Sequence, residues 1–280
     1  MQTIIATLSN QYNEMLFLWA ALLLYIISGS VAIITTVVWR KLPQIILFLT
    51  SLGFVIHTIA IGLRWYRLEH GPFITMFEIL SSNIWSLTLI WLITYIKIPH
   101  IRFALVIAQP VLFMMMGWML ISETQDPMFP STYQTIWLYI HVLFGKVFLG
   151  LFYIAFALSC FILLRKFKSC RRWFKRLPAN ENMALLAFRF IAVGMIFDTL
   201  MLIAGAIWAQ DAWGRYWAWD PLETWSFITW LLVAMLLHAR VTWKISPQVS
   251  SVLVIIVFIV AFVTFFGVPF MATAPHRGVI

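Results

Sequence analysis

Between Trp208 and Trp225 the chain reads WAQDAWGRYWAWDPLETW, and no other stretch concentrates as much chemistry. Five tryptophans (Trp208, Trp213, Trp217, Trp219, Trp225) and Tyr216 stand beside three carboxylates, Asp211, Asp220 and Glu223. One or two interfacial aromatics are enough to anchor a membrane loop. This density offers instead a broad, flat, apolar surface with a few polar handles, which suits a large planar ligand at a membrane face. His141 and His276 flank the segment in sequence, and by the topology derived below they lie at the same face. Two neutral imidazoles approaching from opposite sides would hold an iron porphyrin axially, with aromatic rings over its faces. The plainer alternative makes His141 an interfacial polar residue and His276 a residue of the tail.

Other ionisable groups fall inside apolar runs. His238 sits in WLLVAMLLHAR, where a histidine is costly unless it faces a cavity or a partner. At about 1.5 Å per residue, His57 lies roughly 18 Å from the inner end of its helix and His238 only about 8 Å. That mismatch makes them poor mates for one ligand, so His238 is expected to pair with a group on another chain unless the helices tilt. Lys146 and Asp198 each fall roughly 14 Å from the outer ends of consecutive spans and are expected either to form a buried ion pair or to face separate polar cavities. Gly71 and Pro72 mark a turn between Glu69-His70 and Glu78. Glu78 falls near a helix N-terminus, where a carboxylate is favoured; His70 stays ambiguous, and His100 reads as an ordinary turn residue.

The elements that must position these groups follow from composition. Of 280 residues, 63% are hydrophobic and 10% charged, more apolar surface than a soluble domain covers. A bilayer-crossing helix needs about 20 residues, and eight runs qualify: 15–39, 45–64, 75–96, 101–121, 136–164, 184–207, 224–243 and 249–270. Because the runs are continuous rather than alternating, a transmembrane β-barrel is excluded. The fold expected is an all-α polytopic membrane protein of about eight transmembrane helices, a single integral membrane domain over 1–280. The tryptophan-rich segment 208–225 then connects spans six and seven.

Charge sets the orientation. Of nineteen basic residues, thirteen fall in the loops after odd-numbered spans: Arg40, Lys41, Lys97, Arg102, Arg165, Lys166, Lys168, Arg171, Arg172, Lys175, Arg176, Arg240 and Lys244. The opposite loops hold Arg64, Arg67, Arg215 and Arg277. The positive-inside rule puts both termini and the tryptophan segment outside. The basic cluster 165–176 is suited to anionic headgroups of membrane lipids rather than to nucleic acid. No basic residue precedes the first span, which reads as an uncleaved start. Cys160 and Cys170 form no C-x-x-C pair, which argues against disulfide exchange, zinc binding or covalent haem attachment to this chain.

Trp213-Gly214-Arg215-Tyr216-Trp217-Ala218-Trp219-Asp220-Pro221-Leu222-Glu223-Thr224-Trp225 resembles the WWD motif of haem-handling proteins in cytochrome c maturation. Of the three branches sharing that motif, the CcsA/ResC kind (system II) has about eight spans with the motif between the sixth and seventh, and the chain is similar to it over spans two to eight. Tyr139-Ile140-His141-Val142 matches the external histidine before the motif, and Leu237-His238-Ala239-Arg240 matches the intramembrane histidine. His276 matches the external histidine after the last span. Two local departures stand out. Glu69-His70-Gly71-Pro72 replaces the usual Gly-His-x-Pro, and Ala274-Pro275-His276-Arg277 replaces the more usual Leu-His-Ser; Asp198 is not part of the pattern.

The resemblance implies that His141 and His276 hold the iron of a transient haem b against Trp213, Gly214, Trp217 and Trp219. His238 would share a membrane haem with a histidine on a CcsB/ResB-type partner. An apocytochrome c C-x-x-C-H segment, kept reduced by thiol-reducing proteins of the pathway, would be joined to haem at the outer face. The chain would thus be the haem-binding component of a holocytochrome c synthase (haem lyase), in a bacterial inner or plasma membrane or a thylakoid membrane. It would position reactants rather than supply a catalytic acid or base. Arg215 suits propionates, whereas Asp220 and Glu223, both candidates for the site, suit helix capping as well. Ligation needs neutral imidazoles, so external binding is expected to weaken as pH falls through about 6.5. The rival readings are a HemX-like regulator of haem metabolism, a haem transporter without attachment chemistry, and a b-type electron carrier. The intact motif argues against the first and the unmatched depths of His57 and His238 against the last.

Overall fold

The computed structural model describes residues 2–39, 42–167 and 178–271, with side chains from Asn13 to Pro269 within those ranges. The described residues contain helices and no strand. In chain order the helices are α1 (Gln2–Ile34, continued by a π-turn Thr35–Trp39), α2 (Ile45–Leu68), α3 (Met76–Lys97), α4 (Arg102–Val106) and α5 (Gln109–Ile121). There follow α6 (Ile136–Leu164), α7 (Asn180–Trp213), α8 (Pro221–Thr242), α9 (Pro247–Phe262, continued by a π-turn Val263–Gly267) and the short α10 (Val268–Met271). Seven of them are long and apolar enough to cross a membrane, and the α4–α5 pair makes an eighth span if it is counted as one.

Every expected span has its helix, with differences of detail: the first run, expected from residue 15, is helical from Gln2. The run 101–121 is bent by 48° between α4 and α5. Pro110, in the first turn of α5, lacks an N–H, and its ring opposes the carbonyl four residues back, which breaks the ladder after Val106. The run 184–207 is longer than hydropathy implies, extending over Asn180–Trp213. Polar residues at its ends keep helical backbone, and the helix stops only at Gly214, which takes the left-handed conformation (φ 72°) as its C-cap.

By contacts the chain divides into two compact units, one reaching Phe129 and the other starting at Pro130. In the first, α3 is central, with 67% of its apolar window buried against 28% for α2. Thr75 and Glu78 form a capping box at its start, as the position of Glu78 suggested. Glu78 does more, because its Oε1 also accepts from Arg64 Nε at 2.9 Å. Arg64 donates on to Glu14 at 3.0 Å, and Arg67 donates to Glu14 at 2.7 and 3.0 Å. Each of these buried charges is therefore paired, the condition for holding ions away from water.

In the second unit α6 is central, also 67% buried. Glycines let it approach α7 closely, as in membrane bundles where small residues substitute for a hydrophobic driving force. A Cβ on Gly194 would sit 3.6 Å from Phe148, and one on Gly145 only 2.9 Å from Met201 Sδ. Ser246 caps α9 by accepting from Val249 N–H, with Pro247 in the first turn.

Candidate functional site

The tryptophan segment is built from two helix ends. Where α7 stops at Gly214 the chain turns away, its N–H bonded to the Gln210 carbonyl at 3.0 Å. Where α8 starts, Asp220 is the N-cap, its carboxylate accepting from Glu223 N–H at 2.8 Å, with Pro221 following. The Glu223 carboxylate reaches back and accepts the Ala218 N–H at 2.7 Å. Both carboxylates are thus spent on backbone donors, the scaffolding role that capping chemistry suggested. Trp219 takes a left-handed backbone (φ 59°), unusual for a bulky residue. Its ring is 67% exposed, and the rings of Tyr216 and Trp225 are exposed too. Arg215 is exposed as well.

The rings of the segment join two aromatic clusters, one on the α8 side and one on the α7 side. Trp217 meets Trp219 edge-on at 5.7 Å and Phe227 at 6.3 Å, and Phe227 stacks on Trp230. The Trp217 indole N–H is buried and has no acceptor, a donor that the protein itself leaves unsatisfied. On the α7 side Trp213 meets the buried Trp208 at 5.1 Å, and Trp208 donates its indole N–H to the Thr132 carbonyl at 3.3 Å. Thr135, the N-cap of α6, donates to Asp211 at 3.1 Å and so ties the start of α6 to the end of α7.

His141 is brought to the α7-side cluster. Its ring centroid lies 6.0 Å from that of Trp208. Its Nδ1 bonds the Met201 carbonyl of α7 at 2.8 Å. A carbonyl only accepts, so the proton is on Nδ1 and the lone pair on Nε2, the arrangement by which backbone carbonyls orient metal-binding imidazoles. Space for the ring comes from Gly205, where a Cβ would lie 2.7 Å from Nδ1. Neither Gly205 nor Met201 carries a signal in the sequence; only the helix register identifies them. The aromatic partners Tyr133 and Phe227 were equally invisible. His276 and Arg277 lie outside the described residues.

His238 is placed differently, exposed on α8, with Nδ1 3.4 Å from Thr242 Oγ1 and Trp243 edge-on at 6.0 Å. Its ring is turned outward from its own unit. His57 is fully buried in the other unit, its Nε2 3.0 Å from Ser81 Oγ and its Nδ1 3.5 Å from the Tyr25 hydroxyl. Both ring nitrogens are satisfied by protein groups, which is a structural role.

The buried pair considered for Lys146 and Asp198 does not form. Both carboxylate oxygens of Asp198 are buried and accept no hydrogen bond. The α6 face that meets α7 carries Gly145 and Phe148, facing Met201 and Gly194. Lys146 is one residue on from Gly145, about 100° round the helix, and so projects off that face. Equal depth brought the two residues level, and helix rotation separated them.

A helical membrane fold with a histidine, His141, set against a tryptophan-rich interhelical segment defines a class of polytopic proteins built around an aromatic platform. Within it the chain belongs to the cytochrome c assembly protein family, whose model matches residues 73–276. That range includes His141, the tryptophan segment, His238 and His276. The chain is similar to cytochrome c biogenesis protein CcsA of Panax ginseng, 28% identical over 252 residues covering 76% of this chain and 79% of the relative. CcsA of Manihot esculenta is 28% identical over 256 residues with the same coverage, and that of Lotus japonicus 28% over 281 residues, 85% of each chain. Among solved structures, the cytochrome c heme lyase CcmF superposes with a TM-score of 0.68 over 96% of this chain, at 16% identity. At that identity the likeness is one of fold, and the chain spans about half (48%) of that protein.

Proposed function

We propose that this chain receives haem as its substrate and presents it, at the tryptophan-lined end of α7 and α8, for attachment to an apocytochrome c. The observation that carries the reading is an oriented imidazole, His141, set against Trp208 at the start of the same tryptophan-rich segment that exposes Trp219 and leaves the Trp217 N–H unsatisfied. His141 Nε2 would ligate iron, with His276 from the tail as the opposite ligand. The rings of Trp213, Trp217 and Trp219 would lie along the porphyrin, and Trp217 N–H and Arg215 would meet propionate oxygens. Asp220 and Glu223 hold the platform in shape. With both termini and this loop outside, His238 near the inner end of α8 would hold haem in transit, against a histidine of a CcsB/ResB-type partner. Haem b is the form expected, since its vinyl groups are intact.

In the attachment each cysteine thiol of a C-x-x-C-H segment adds across a vinyl double bond. A C–S bond forms at one vinyl carbon and the thiol hydrogen ends on the other, with no net oxidation. The protein contributes the fixed distance and angle between two reactants, which makes a bimolecular step effectively unimolecular. The test is to purify the protein with its partner, record the optical spectrum, and repeat with His141→Ala, His276→Ala and His238→Ala. Loss of the external haem in the first two, and loss of cytochrome c maturation in cells, are expected; wild-type haem content in all three overturns the reading.

A further inference from the structure

The turn between α2 and α3 holds a second oriented imidazole. His70 is 2% exposed, and its Nδ1 bonds the Gly71 carbonyl at 2.9 Å. That carbonyl also accepts from Phe73 N–H at 3.0 Å, and the Phe73 ring occupies the space a side chain on Gly71 would need. The carbonyl is therefore fixed, the His70 proton is on Nδ1, and the lone pair is on Nε2. Nε2 is buried and has no hydrogen-bond partner. Native proteins satisfy nearly all such atoms, so an imidazole oriented on one nitrogen and unpartnered on the other calls for an explanation.

What covers His70 is the segment 122–130, which has no helical structure of its own before the turn at Ser131. Phe129 stacks flat on the imidazole, centroids 5.0 Å apart and planes within 7°. Three residues earlier Asp126 takes a two-pronged contact from Arg67, Nη2 to Oδ1 at 2.9 Å and Nη1 to Oδ2. The Asp126 side chain is 41% exposed whereas that of Arg67 is only 6% exposed and tied to Glu14, so the buried network is the anchor and Asp126 the releasable end. Exposed ion pairs are weak holds.

We propose that His70 is a covered axial ligand for a haem iron, and that segment 122–130 is a strap whose lifting exposes it. Among the described residues no group of three His, Cys, Asp or Glu side chains could hold a free metal ion. A porphyrin brings four nitrogen ligands of its own and asks the protein for one more, which a single imidazole supplies. The proposal rests on the haem-handling reading above but concerns a different histidine in a different unit.

The test uses the full chain in detergent, as wild type, Phe129→Ala, Asp126→Asn, and each strap variant combined with His70→Ala. Haem per chain and the low-spin spectrum are measured on titration with haemin. His70 modification by diethylpyrocarbonate is followed by peptide mass spectrometry. The expected result is that Phe129→Ala takes up about one more haem per chain than wild type, that His70→Ala removes this increment, and that His70 is modified at least tenfold faster once the strap is loosened. Asp126→Asn leaves the covering ring in place and tests the same release if Phe129→Ala misfolds. Extra haem that survives His70→Ala, uptake of Zn2+ alone by the loosened protein, or equal modification of His70 in wild type and variants overturns the proposal. Failure of the haem-handling reading shows separately, as wild type whose haem does not respond to His141 or His238.

Discussion

Replacing Gly205 with alanine disturbs His141 without touching it chemically. The added Cβ would lie 2.7 Å from Nδ1 and 3.0 Å from Cε1 of the imidazole, whose ring must withdraw by about 0.7 Å to reach ordinary contact at 3.4 Å. That withdrawal lengthens the 2.8 Å bond to the Met201 carbonyl, at a cost of about 1 kcal/mol, and overpacking adds roughly 1–3 kcal/mol. Alanine returns roughly 0.8–1.0 kcal/mol of helix propensity, so the net loss of fold stability is modest. The loss of ligand orientation is not: disturbed second-shell bonds to metal-binding histidines lower affinity by about 10–100-fold. The assay is haemin titration of purified Gly205→Ala beside Gly194→Ala, with thermal melts of both. Gly194 lies on the same helix and the same interface, but its Cβ would meet nothing nearer than 3.6 Å, so it should bind haem as wild type does. Wild-type haem affinity in Gly205→Ala, or an equal fall in Gly194→Ala, would refute the role given to His141 orientation.

Further outcomes follow from other contacts. Glu223→Gln keeps an oxygen that can accept the Ala218 N–H and should retain haem, whereas Glu223→Ala should lose both the loop shape and haem; parallel loss in the two would make the carboxylate a ligand contact. Asp198→Leu removes a buried carboxyl without hydrogen-bond partners and should raise the melting temperature, by a gain of about 1–3 kcal/mol, and a fall would reveal a partner for it. The Arg67 guanidinium, chiefly through its hydrogen bonds, holds the Asp126 carboxyl below its ordinary value of 3.8. The strap contact therefore contributes fully above that value and is lost as pH falls through the lower folded one. The protection of residues 122–130, taken relative to the intrinsic exchange rate at each pH, should be flat from neutrality down to about pH 4 and fall below; lower protection already at pH 6 would argue against an Asp126 latch.

Much of this was legible in the residues themselves. Apolar runs of bilayer length define the membrane-spanning helices because a helix must satisfy its backbone internally wherever water is absent. The WWD-like segment announces an aromatic platform, and Asp220-Pro221 with Glu223 reads as a helix start whatever surrounds it, since capping is decided within four residues. The bend at Pro110 and the full length of α7 were less visible, because hydropathy measures apolarity and not where the hydrogen-bond ladder stops.

Tertiary structure decided which side chains meet. Depth along a helix placed Lys146 and Asp198 level, but rotation about the helix axis, which no residue count measures across two helices, turned them apart. The same rotation set His141 against Met201 and Gly205, sixty and more residues away, and turned His238 outward. His57, a candidate by burial alone, proved satisfied by Ser81 and Tyr25, whereas His70, ambiguous in sequence, was left with one oriented, unpartnered nitrogen. Composition and local patterning determined the helices, their caps and the chemistry on offer. Which imidazole is fixed, satisfied or covered depends on neighbours distant in the chain, and only packing brings those together.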